Sequence, residues 1–183
     1  SSTSIYNQSL VASMIVANGI MKTEEWAKGL VKNFARPPSG GDTDLLKATA
    51  AGQCNIALAN TYYLGRMKNS ESEQTRKAAE NLEVFWPNQG ENDRGAHVNV
   101  SGAGVTKYAK NVESGIALLE YLVKDESQRW YAEVNNEYPV VNGVMMSDTL
   151  RGFGKFKADT LNLSKLGEMN GEAVKLMDRA GWR

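Results

Sequence analysis

Four consecutive residues, Asn60-Thr61-Tyr62-Tyr63, carry the sharpest chemistry in this sequence. A phenol that has lost its proton is a hard oxygen donor, and hard trivalent iron prefers such donors. A free tyrosine titrates near about 10, so its ring is neutral at physiological pH. A bound, highly charged cation inverts that and removes the proton. Adjacent side chains on a regular strand point to opposite faces. Two neighbouring tyrosines therefore share one ion only where a strand ends and the backbone turns, and Gly65 just beyond is compatible with that. The residues alone leave a second reading open: an aromatic pair at a strand edge, packed half in water.

Tyr6 follows Ser1-Ser2-Thr3-Ser4 at the start of a predicted helix. Helix N-termini favour anions, a phenolate included; an ordinary aromatic in the first turn is the alternative. Gly40-Gly41-Asp42-Thr43 has the form of a small anion cradle before a helix, or of a simple turn with an N-cap. Gly102-Ala103-Gly104 follows an expected strand, but the third glycine of a dinucleotide fingerprint would fall at Lys107. It reads as a backbone crossing. His97, the only histidine, alternates with Val98 and Val100 as a packed strand residue would. Cys54 is the only cysteine, so no disulfide forms within the chain, which suits the cytosol and a disulfide-free periplasmic protein equally. Trp26, Trp86, Trp130 and Trp182 read as core. No nucleophile motif and no carboxylate pair spaced for acid–base work are present, which argues against an enzyme.

The elements that must position these residues follow from apolar spacing and punctuation. Ser4 is a good N-cap for a helix over 6–18, with Leu10, Val11, Met14 and Ile15 at helical spacing and Gly19 as its stop. Thr23 should open a helix over 24–35, ended by Pro37 and Pro38. Asp42 or Thr43 should cap a third over 44–51. Strands are expected at 54–60, 84–86 and 96–100. Helices are expected at 112–123 and 126–134, and one or two more across 161–180. Alternating helices and short strands argue for an α/β fold.

The 183 residues suffice for one ordinary domain or two small lobes. Acidic and basic residues balance at 21 each, which offers no basic surface for nucleic acid. No apolar stretch is long enough to span a bilayer as a helix.

Taken together, five stretches resemble the bacterial ferric-iron substrate-binding proteins of ABC transporters, closest to their cyanobacterial-type branch. They are residues 2–9, 40–44, 56–63, 84–89 and 101–107, in that order. Asn135-Asn136-Glu137-Tyr138-Pro139-Val140 and the segment from Phe153-Gly154-Lys155-Phe156 to Trp182 continue the similarity over essentially the whole chain.

The resemblance implies a periplasmic-binding-protein-like (type II) two-lobe fold, here mostly the second lobe plus the returning part of the first. Residues 1–99 would form lobe two, 100–146 the returning, mainly helical segment of lobe one, and 147–183 helices packing back on lobe two. The N-terminal part of lobe one, with further ligands, would be missing. The chain opens Ser1-Ser2-Thr3 without methionine, and an absent upstream segment is the expected reason.

By the same resemblance Tyr6, Tyr62 and Tyr63 are the metal ligands, with Ser4, Asp42 and Asn60 around them or near an anion. The implied function is a non-catalytic periplasmic carrier that binds Fe(3+) as transported ligand and docks, as a monomer, on an ABC permease at the inner membrane. The competing reading keeps the fold and changes the ligand to a small anion or organic solute.

Overall fold

The computed structural model describes residues 1–183. They form two compact units, one of Ser1–Ser39, Trp86–Asn99 and Phe156–Arg183, the other of Gly40–Phe85 and Val100–Lys155.

The first unit is built on three helices: α1 (Ile5–Asn18), α2 (Ile20–Lys32) and, from the end of the chain, α9 (Ser164–Arg179). Val11, Ala12 and Ile15 of α1 pack with Ala27 of α2 and with Ala173, Leu176 and Met177 of α9 in one buried cluster. Trp182 closes it, its indole 6.2 Å from Trp26 and 6.0 Å edge-on from Phe34. Gly19 alone separates α1 from α2, with φ at +82°. Thr23, expected as a cap, is instead buried inside α2 and donates its hydroxyl to the Gly19 carbonyl at 2.8 Å. Ser4 precedes α1 in extended backbone, but its side chain makes no capping bond. Asn7 and Gln8 reach back instead to the carbonyls of Ser1 (2.8 Å) and Ser2 (2.9 Å).

The segment Trp86–Asn99 is fastened to this unit by polar contacts. Arg94 donates to Asp159 at 2.9 Å and to the Ser13 carbonyl at 3.1 Å, tying the segment to α1. Ala96 and Ala158 form a parallel bridge. Gly95 beside it has φ +92°, and a Cβ there would lie 2.6 Å from the Lys157 carbonyl oxygen, so only glycine fits. The Lys157 ammonium is received by the backbone carbonyls of Gly90 (3.4 Å), Glu91 (3.1 Å) and Asp93. Trp86 stacks on Phe156, with centroids 4.0 Å apart and planes 12° apart.

The second unit holds α3 (Asp42–Ala50), α4 (Thr61–Lys68), α5 (Glu73–Glu80), α6 (Val112–Leu122), α7 (Asp125–Trp130), a π-helical turn (Tyr131–Asn135) and α8 (Asp148–Gly152). Its larger buried apolar side chains are Leu46, Leu64, Met67, Leu82, Leu150 and Phe153. Helix α6 buries no residue, and Ile116 and Leu118 are about half exposed.

Three further expectations are corrected. The runs at 54–60, 84–86 and 96–100 form no strand ladder, and the single bridge at Ala96 is all the sheet pairing among the described residues. A strand needs a hydrogen-bonded neighbour along its length, and beyond Ala96 the runs have none in a ladder; Ile56 and Phe85 stand 82% and 87% exposed. The third helix takes Gly41, not Asp42 or Thr43, as its N-cap residue. The helix expected over 126–134 changes to π geometry at Tyr131.

Candidate metal centre

Helix α4 begins at Thr61, so Tyr62 and Tyr63 occupy its first turn rather than a strand end. Successive helical residues are about 100° apart around the axis, which spreads two neighbouring rings without sending them to opposite faces. The rings lie close, with centroids 4.3 Å apart and planes inclined by 35°. Both residues are half-buried. The guanidinium of Arg66, one helical turn on, sits 5.1 Å from the Tyr62 centroid and 5.7 Å from that of Tyr63. A cation over the ring faces is attracted by their quadrupoles and restrains both rings.

The start of α4 is held by α3. Asp42, the first residue of α3, accepts the Asn60 backbone N–H at 3.0 Å and is approached by the Asn60 side-chain amide at 3.5 Å. Asp42 thus spends its carboxylate on the entrance to the next helix. Asp44 closes its own helix by accepting the Gly41 N–H at 3.0 Å. One carboxylate links two helix N-termini, where negative charge is favoured.

Tyr6 lies in the first turn of α1, in the other unit, and is 39% exposed. The Ser9 hydroxyl donates to the Tyr6 carbonyl (2.9 Å) and to Asn99 (2.7 Å), and lies 3.3 Å from His97 Nε2. His97 titrates below its ordinary value, chiefly because it is buried, with the Arg94 charge adding to this; Asn99 and Asp159 act the other way. It is a packed polar residue, in keeping with its strand-like alternation. The second unit thus brings Asp42, Asn60, Tyr62 and Tyr63 together, while Ser4 and Tyr6 belong to the first. No three His, Cys, Asp or Glu side chains gather to hold a metal. The donors on offer are phenols. Tyr138 is a poor one: burial pushes its hydroxyl up to about 12.

Arg66 escaped the sequence reasoning because the segment was not read as a helix from Thr61. On a helix, its spacing of four and three from the two tyrosines is the signal that places it over both rings.

Residues 13–158 match the family described as bacterial extracellular solute-binding protein. Over its full length the chain is 49% identical to Iron uptake protein A1 of Synechocystis and spans 50% of that protein. A Trichodesmium protein solved in complex with iron and citrate superposes on the whole chain with a TM-score of 0.95 at 53% identity, the match covering 57% of that structure. The ferric binding protein of Campylobacter jejuni superposes on 97% of the chain with a TM-score of 0.91 at 38% identity, covering 56% of its own length. The chain therefore spans about half the length of the relatives it matches. Over that half it shares the type II periplasmic-binding fold, an α/β class of which its own described residues form mainly the helical part. The chain belongs to the bacterial extracellular solute-binding protein family.

Proposed function

We propose that the whole protein is the periplasmic substrate-binding component of an ABC uptake system, binding ferric iron through tyrosine phenolates and delivering it to a membrane permease. The observation that carries this reading is the Tyr62–Tyr63 pair at the start of α4, with ring centroids 4.3 Å apart. Two such phenols offer hard, anionic oxygens once a trivalent ion displaces their protons. Iron-uptake relatives at this level of identity support the choice of ion. The role is carriage, with no catalytic step.

Tyr6 is a separate candidate ligand, from the first unit. Asp42 and Asn60 fix the entrance to α4, and Ser4 flanks Tyr6. The assignment of 1–99 and 147–183 to lobe two and of 100–146 to lobe one belongs to this proposal, as do further ligands from the N-terminal part of lobe one. A balanced net charge supports a partner other than nucleic acid, and the working form is a monomer.

In the full-length protein, Tyr62→Phe/Tyr63→Phe abolishes ferric binding and the visible phenolate-to-iron absorption. Retention of both by that double variant would refute the ligand assignment. Acid weakens binding, because protons compete with the metal for phenolate oxygen. Calorimetric titration with ferric citrate against phosphate and simple organic anions separates iron from an anion or organic solute as the cargo.

A further inference from the structure

The features left over by this function are the π-helical turn at Tyr131–Asn135, the left-handed Asn136 that ends it, and the glycine inside α4. They meet at one point. Asn136 is 2% exposed and holds φ at +58°. A Cβ added to Gly65 would stand 2.6 Å from the Asn136 Cβ and 2.9 Å from its Oδ1. The glycine is therefore what lets the α4 backbone lie directly on the Asn136 side chain. Asn136 Oδ1 also accepts from the side-chain amide of Asn69, the C-cap residue of α4, at 3.0 Å. Asn69 in turn accepts from the Thr149 hydroxyl at 3.1 Å. One buried side chain thus touches α4 at its middle and ties its end.

We infer that Asn136 is a positioning residue for the Tyr62–Tyr63 pair, setting the height and rotation of α4 through its contact with Gly65. The inference rests on the ferric-iron reading above. An eight-residue helix is a short rod of roughly 12 Å, and Gly65 is only two and three residues from the tyrosines. A displacement at the contact reaches both phenol oxygens almost undiminished. Apolar packing alone leaves a short helix free to roll by a few degrees. The Asn136 contact in the middle, the Asn69 tie at the end and the Asp42 link at the start remove that freedom. A π turn inserts an extra residue into a helix and is frequent at functional sites; here it delivers Asn136 to the back of the ligand-bearing helix. Groups hydrogen-bonded directly to metal ligands change affinity by about 10- to 100-fold when lost; Asn136 acts one step further off, through the helix, so the lower end of that range is expected.

The test uses the full-length protein, ferric citrate, the visible phenolate-to-iron band and a parallel thermal melt. Gly65→Ala inserts the clashing Cβ: the band shifts and ferric affinity falls by about tenfold or more. Gly65→Ala/Asn136→Gly removes the atoms that collide and keeps a residue suited to positive φ; it returns the band to its wild-type position and recovers most of the affinity. A wild-type band and affinity in folded Gly65→Ala would overturn the inference, and so would failure of the folded double variant to recover. Should Gly65→Ala not fold, Asn136→Gly alone decides: a shifted band supports positioning, and an unshifted band with only a lowered melting temperature assigns the residue to stability alone. Tyr62→Phe/Tyr63→Phe runs alongside. If that variant keeps the band, the ferric-iron reading fails first; if it loses the band while Gly65→Ala does not shift it, only the positioning inference fails.

Discussion

The two units of this chain are stabilised in different ways. The first has a continuous apolar cluster in which Val11, Ala12, Ala27, Ala173, Leu176 and Met177 are fully buried. The second buries Leu46, Leu64, Met67, Leu82, Leu150 and Phe153, has a helix that buries no residue, and leaves several large apolar side chains in water. Its helix α4 is fixed by side-chain amides and a carboxylate at named points. Burial is strong but non-directional, whereas hydrogen bonds are weaker and geometrically exact. On the proposed function, the unit that carries Tyr62 and Tyr63 uses the second kind of force where it matters.

The same deletion made in each unit is the strongest way to break this comparison. Leu176→Ala in the first unit should cost about 4 kcal/mol of stability, because a fully packed site cannot collapse around the cavity. Leu64→Ala on α4 should cost about 2 kcal/mol, at the lower end of the same range, yet weaken ferric binding more than Leu176→Ala does. Urea denaturation of the apoprotein and iron titration of each variant check this; equal losses of binding would show that the division of labour is wrong.

A milder change sharpens the comparison. Asp42→Ala removes the acceptor for Asn60 and should cost about 1 kcal/mol, while loosening the start of α4. Ferric affinity should fall while the melting temperature drops by only about 2–4 °C. The smallest effect belongs to the first unit. His97 has a folded pKa below its ordinary 6.5, so the unfolded chain binds its proton first. Stability therefore declines as pH falls through that value and levels off below the folded pKa. Replacing His97 by Gln should flatten the urea midpoint of the apoprotein between about pH 7 and about pH 5; an unchanged slope would assign the dependence elsewhere.

Much of the helical part was legible in the sequence. The spacing of Leu10, Val11, Met14 and Ile15 with Gly19 after them located α1 to within a residue. Thr23 misled because a threonine that looks like a cap can equally bond back inside a helix, as it does to Gly19. The strand expectations had sound local patterns, but a ladder is a property of two segments, and among these residues only the Ala96–Ala158 bridge pairs. The tyrosine pair stood out by residue type, with a packed aromatic pair left open beside it, and its proposed ligand role came from the resemblance. Asp42 and Asn60 came from the resemblance, and only the structure showed that they bind each other. Gly65 read as a turn; its real reason, a side chain 71 positions away, lies in tertiary structure and leaves no local signal.

The Lys157 ammonium among the carbonyls of Gly90, Glu91 and Asp93 has a practical corollary. That loop presents the oxygens that would otherwise recruit a dissolved cation, and the chain supplies its own on a covalent leash. A chelator cannot extract it. The loop should thus keep its shape whatever the ionic composition of the medium.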